Sequence, residues 1–145
     1  MKNIQFKIIN PVEHKERVVE LLLQLNPEME GNSIETLITE MNELPNYTCF
    51  ALFEEDELIG ISSGWTTVRI YCGKQIELDN VIIDSNCQSK GYGKYFMEEI
   101  TKWSLDYDYK SIGLNTYVQN SRSHKFYFNE GFKILGFHFE KGICQ

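Results

Sequence analysis

Three extended runs follow one another with no helix between them: YTCFALF from Tyr47, LIGISSGWTTVRI from Leu58 and IELDNVIID from Ile76. Each is short, apolar and rich in β-branched and aromatic residues, which suits a pleated, half-buried surface. The acidic turn EEDE separates the first two, so they predict an antiparallel hairpin, and the turn YCGKQ leads into the third. A block of strands in the middle of a chain restricts the fold to a sheet that other elements must cover.

The flanking segments supply the cover. Ile4, Phe6 and Ile8 alternate with polar residues as a strand does, and Pro11 then opens a helix whose Val18, Leu21, Leu22 and Leu25 share one face. NPEMEGN is a loop. Ser33 is the expected N-cap of a second helix carrying Ile34, Leu37, Ile38 and Met41, closed by Pro45. Beyond the strand block, Phe96, Ile100, Trp103 and Tyr107 line one side of a helix that Gly91 or Tyr92 begins. IGLNTYV then reads as a strand, SRSHKFYFNE as a short helix, and FKILGFHFE as a last strand with Phe132, Ile134, Phe137 and Phe139 alternating imperfectly around Gly136. The order β-α-α-β-β-β-α-β-α-β predicts an α/β (α+β) fold with a mixed sheet, mainly antiparallel, and helices on both faces. With 145 residues, one domain spanning 1–145 is expected.

Charge and cysteine usage narrow the chemistry. A formal net charge of −7 with no basic stripe disfavours nucleic acid and favours a cationic small molecule. Cys49, Cys72, Cys87 and Cys144 lie far apart without metal or redox spacing, so no metal is expected. The N-terminal segment lacks the apolar core of a signal peptide and no run is long enough to span a bilayer, which points to a cytoplasmic protein without a membrane partner.

In VIIDSNCQSKGYGKYF a strand runs through a glycine loop into a helix. Two readings fit. Successive main-chain N–H groups at the positive end of a helix dipole make an anion site, to which Lys90 and Lys94 add charge; equally, the glycines serve a tight strand-to-helix turn. A second stretch, NSRSHKFYFNEGF from Asn120, supplies context. Gln88, Gly91 and Gly93 fit Q/R-x-x-G-x-G/A, while Asn120, Ser123, Phe126, Tyr127, Gly131 and Phe132 fit N-x-x-A/S-x-x-F/L-Y-x-x-x-G-F. Together, in this order and with a strand between them, they resemble the GNAT superfamily of acyl-CoA-dependent N-acyltransferases, as does the order of elements. The resemblance covers nearly the whole chain, and its specific part is the second half.

The resemblance implies acetyl-CoA as co-substrate. The main chain of Gln88, Ser89, Lys90, Gly91, Tyr92, Gly93 and Lys94 would hold its pyrophosphate, and Val81, Ile82 and Ile83 would pair with the pantetheine arm. Asn120, with Ser123 facing the cofactor or capping the turn, would lie near the thiol end. Tyr127 would protonate the departing thiolate, a role its phenol suits, although a core aromatic beside Phe126 is the plainer reading. Glu77 matches the general-base glutamate of some family members. Asp79, two residues on, shares its sheet face and is the second choice, and either carboxylate could instead bind the amine as a cation or be a solvated strand end. No residue needs to form an acyl-enzyme.

In the family the acceptor side is built largely by the first two helices and their loop, which here carries Glu28 and Glu30, the expected substrate-binding residues. The expected activity is transfer of an acetyl group from acetyl-CoA to a primary amine, a cationic small molecule, by direct attack. A non-catalytic acyl-CoA-binding or interaction module of the same fold is the alternative. A homodimer is compatible with the resemblance.

Overall fold

The computed structural model describes residues 2 to 144. Its contacts fall into two compact units, one running to Leu114 and one starting at Asn115.

The first unit is built on a five-stranded sheet, β1 (Ile4–Ile9), β2 (Tyr47–Glu54), β3 (Glu57–Arg69), β4 (Gly73–Ile83) and β5 (Ser111–Leu114), in that spatial order. The first four pair antiparallel and β5 joins β4 in parallel. The mixed, mainly antiparallel sheet is therefore as expected. Glu55 and Asp56 both adopt positive φ in the two-residue β2–β3 turn, whose twist matches that of the strands it joins.

One sheet face is covered by α1 (Lys15–Leu25), which follows a short 3-10 turn (Pro11–His14) capped by Asn10, and by α2 (Gly31–Glu43). Val18, Leu21, Leu22, Ile34 and Ile38 from these helices pack with Ala51, Phe53, Leu58 and Ile61. α2 starts three residues earlier than its sequence suggests, with Glu30 rather than Ser33 at the cap; the Ser33 and Ile34 N–H groups donate to the Glu30 carbonyl.

The opposite face carries α3 (Tyr92–Asp106). Phe50 stacks with Phe6 at 5.9 Å between ring centroids and meets Trp103 edge-on at 4.8 Å, while Phe96 tilts against Phe6 at 6.1 Å. Gly64 makes room for this layer, because a Cβ there would lie 2.6 Å from the Phe50 ring.

A polar tie joins α1 to the end of β4. Arg17 donates through Nη2 to Asp84 and through Nε to the Leu58 carbonyl, and Gln24 reaches both the Asp84 carboxylate and the Ser85 N–H. Burial alone would raise the Asp84 carboxyl, but the Asn86 N–H, Arg17 and Gln24 outweigh it and hold it below the ordinary value.

The second unit contains α4 (Ser121–Asn129). The expected last strand is not formed: residues 132 to 144 carry no regular structure, and Ile134, Leu135, Phe137 and Phe139 are exposed. A strand exists only through a neighbour's hydrogen bonds, and among the described residues none pairs with this segment. The strand expected over IGLNTYV is likewise shorter, ending at Leu114 where its pairing ends.

Truncating Phe50, which is fully buried, should cost about 3–5 kcal/mol. Denaturant unfolding of Phe50→Ala should show that loss as a lower midpoint at unchanged slope. Asp84→Asn should cost about 1–3 kcal/mol at neutral pH, since it leaves charged and polar donors short of their acceptor. Because the folded pKa of Asp84 is depressed, its contribution is present above the unfolded carboxylate value and is lost as pH falls through the folded one. The stability difference between wild type and Asp84→Asn should therefore shrink below about pH 4.

Candidate active site

β4 is paired on both sides only as far as Leu78. Its ladder with β5 runs from Gln75–Ser111 to Leu78–Leu114, whereas its ladder with β3 continues to Ile83. Among the described residues no strand pairs with the outer edge of Asp79 to Ile83, which leaves main-chain donors and acceptors facing outward along about 13 Å of strand. Val81, Ile82 and Ile83, the residues expected to meet the pantetheine arm, lie on this edge.

The same stretch is bulged. Ile61 pairs with Ile82 and Ser63 with Asp79, so β4 uses one residue more than β3 between these pairs, and Asn80 takes φ +53°. Asparagine accepts the left-handed conformation more readily than most residues. The extra residue keeps Ile82 and Asp79 on one face while re-aiming the backbone between them.

At the far end of this edge the chain passes through Asp84 into the glycine loop. Ser89 and Gly91 both have positive φ, 65° and 81°, and Gly91 caps α3. A Cβ at Gly91 would meet nothing within 4 Å, so glycine is required there by the backbone conformation rather than by crowding. The first N–H groups of α3 have no acceptor within the helix, as at any helix start, and the dipole places positive charge there. That geometry fits a pyrophosphate.

Both flanks of the loop are tied to the body of the unit. On one side are Asp84 and Gln24, and Gln88 Nε2 donates to the Ile83 carbonyl at 3.2 Å. On the other, the Tyr92 hydroxyl donates to Glu54 of β2, a bond that lowers the Glu54 pKa and pushes the Tyr92 phenol up to about 12. Lys90 is exposed, and Lys94 pairs with Glu98 at 3.1 Å.

Glu77 and Asp79 lie on the α1–α2 face of the sheet, where the apolar packing gives way to two polar and aromatic rows. Tyr47, Trp65 and Glu77 are cross-strand neighbours in one, and Cys49, Ser63 and Asp79 in the other. Asp79 stands where the ladder to β5 has just ended. Its side chain is reached by solvent, yet the protein around it withdraws water and raises its pKa, against the pull of the Trp65 indole N–H at 3.2 Å and of Ser63. Glu77 forms an ion pair with Arg69 at 3.4 Å.

Asn120, Ser123 and Tyr127 belong to the second unit. Asn120 caps α4, its side-chain oxygen accepting from the Ser123 N–H at 3.2 Å. Tyr127 packs edge-on against Phe126 and Phe132 at 5.2 and 5.4 Å, and burial raises its pKa, so the phenol keeps its proton at neutral pH. Glu28 and Glu30 are exposed in the turn between α1 and α2.

Arg17, Gln24, Glu54, Tyr47 and Trp65 were not singled out by the sequence. Each acts through a partner at least 14 residues away, so no local spacing marks it.

Comparison with known proteins gives the family and the fold. The model of the acetyltransferase (GNAT) family matches residues 15–132, a stretch that runs through both units. An uncharacterized N-acetyltransferase of Bacillus subtilis, YhdJ, is 26% identical over 99 residues, 68% of this chain and 70% of that protein. Two solved structures share the fold. The aminoglycoside N-acetyltransferase AAC(6')-Iy, in complex with CoA, superposes with a TM-score of 0.82 at 16% identity over 99% of this chain and 97% of that one. A GNAT family acetyltransferase from Staphylococcus aureus gives 0.80 at 19% identity over 99% and 100%. With its open β4 edge running into a glycine loop at a helix start, and with the family's model matching most of its length, this chain belongs to the GNAT acetyltransferase family and is an acyl-CoA-dependent N-acetyltransferase.

Proposed function

We propose that the protein moves an acetyl group from acetyl-CoA to the primary amine of a cationic small molecule by direct attack. The observation that carries this reading is the placement of Asp79: it begins the unpaired edge of β4 whose other end enters the glycine loop. Acetyl-CoA held with its pyrophosphate at Gln88 to Lys94 and its arm along Ile83 to Val81 brings its thioester toward Asp79 and the bulged Asn80.

The primary amine of a free acceptor is protonated at neutral pH, with a lysine-like pKa of about 10.4. Desolvation on the sheet face lowers that value while it raises the pKa of Asp79, so the two approach each other. Asp79, directly or through water, takes the proton. The amine nitrogen then forms its bond to the thioester carbonyl carbon, the C–S bond breaks, Tyr127 gives its phenolic proton to the departing thiolate, and the proton shed by the new amide nitrogen restores the Tyr127 phenol, directly or through water. Glu77, engaged by Arg69, orients the acceptor. This assignment prefers Asp79 to Glu77 as base, the reverse of the order that family resemblance suggests. Main-chain N–H groups at the bulge are the donors for the developing oxyanion. Asn120 and Ser123 are assigned to the cofactor's arm on their motif, and Glu28 and Glu30 to the approach of a cationic acceptor. Cooperation of the two units as one domain is part of the same proposal, supported by a family match that crosses both.

Asp79 must be ionised to act, so kcat/KM should rise with pH through a value above the ordinary carboxylate range and be lost as pH falls through it. Asp79→Asn should remove that limb of the pH profile and lower kcat by about 10²-fold or more. Tyr127→Phe should lower kcat by about 10²-fold while acetyl-CoA still raises the melting temperature. A rate unchanged by either substitution, read as thiol release, would take that residue out of its role. Stabilisation by acetyl-CoA with no thiol release on a broad amine panel would instead support the non-catalytic module.

A further inference from the structure

We propose that the acceptor is an amine bearing a single positive charge on an apolar stem, with its ammonium at Asp79 and its stem against Tyr47 and Trp65. The proposal rests on the reading that this sheet face receives the acceptor. Pairing across β2, β3 and β4 sets Tyr47 beside Trp65 and Trp65 beside Glu77. The Tyr47 and Trp65 rings lie 4.9 Å apart at 54°. Elsewhere on this face the large apolar side chains are sealed beneath α1 and α2, whereas these two rings remain half-exposed. The indole N–H donates to Asp79 Oδ2, so ring and carboxylate are presented as one unit. An aromatic surface beside a carboxylate is the arrangement that holds an ammonium together with the carbons next to it.

The charges decide how many ammonium groups fit. Asp79 and Glu77 are the carboxylates of the two rows, and Arg69 Nη2 lies 3.4 Å from Glu77 while its Nη1 donates to the Tyr71 hydroxyl. The Arg69 guanidinium thus offsets one carboxylate and stands beyond it along the same face. This leaves net charge for one ammonium and places a cation where the second charge of a diamine would fall. An aminoglycoside, with several ammonium groups spread over polar rings, meets both the repulsion and the apolar rings unfavourably.

The test uses the full chain saturated with CoA, titrated calorimetrically with hexylamine, phenethylamine, 1,6-diaminohexane and kanamycin A. Thiol release from acetyl-CoA is followed in parallel for the same four amines. The two monoamines should bind about tenfold or more tightly than the diamine or kanamycin, the discrimination expected of one like-charge contact between Arg69 and a second ammonium. Trp65→Ala should weaken binding of both monoamines by about tenfold and Trp65→Phe should retain it. Arg69→Gln should strengthen diamine binding, a gain that misfolding cannot produce. Equal or tighter binding of the diamine or kanamycin by the wild type, monoamine affinity unaltered in Trp65→Ala, or no binding by any of the four would overturn the proposal. A binding preference as stated with no thiol release from any acceptor would support it while removing the acyl-transfer reading. Thiol release that favours the diamine would do the reverse.

Discussion

The ladder between β4 and β5 ends at Leu78 and Leu114, while the ladder between β4 and β3 goes on to Ile83. The proposed path of the cofactor's arm follows from that mismatch. A main-chain edge without a strand partner is a liability in most sheets, because its donors and acceptors remain available to any extended segment that can reach them. Here the edge is bounded by chemistry at both ends, with Asp79 at one and the glycine loop at the other. The bulge at Asn80 makes the arrangement consistent, since the extra residue lets Asp79 and Ile82 share a face across the point where the strand bends.

The loop depends on ties to distant elements. Its backbone adopts positive φ at Ser89 and Gly91, conformations that a free segment would hold only in part. Asp84, gripped by Arg17 and Gln24, secures the entry, and Glu54 secures Tyr92 inside the glycine motif. Preorganising main-chain N–H groups in this way lowers the ordering cost of binding a phosphate. The ties also run to α1, one of the helices that cover the sheet face proposed for the acceptor, so that face and the loop share a support.

Legibility in the sequence followed the range of the interaction. The β2–β3 hairpin, the helices and the glycine loop announce themselves through periodicity and turn chemistry within about ten residues, and all were found within a few residues of their observed ends. In FKILGFHFE the alternation satisfies a strand pattern, but a pattern supplies only one partner of a ladder. Ser33 shows a smaller version, since a good capping side chain lost to Glu30, where the main-chain carbonyl begins the helical bonding. Glu77 and Asp79 were both visible as carboxylates on one strand face. Their difference was not, because it comes from Arg69 beside one and from Trp65 and reduced solvation at the other.

The amino-acid sequence by itself determined the order of elements, the mixed sheet and the motif pair of an acyl-CoA enzyme, because these depend on apolar period and on residue types at short spacing. Tertiary structure alone decided which edge of β4 stays open, which carboxylate has its pKa raised, and which aromatic rings stand beside it. Those outcomes depend on register between strands distant in the chain and on how far water is excluded, and neither quantity exists until the sheet has formed.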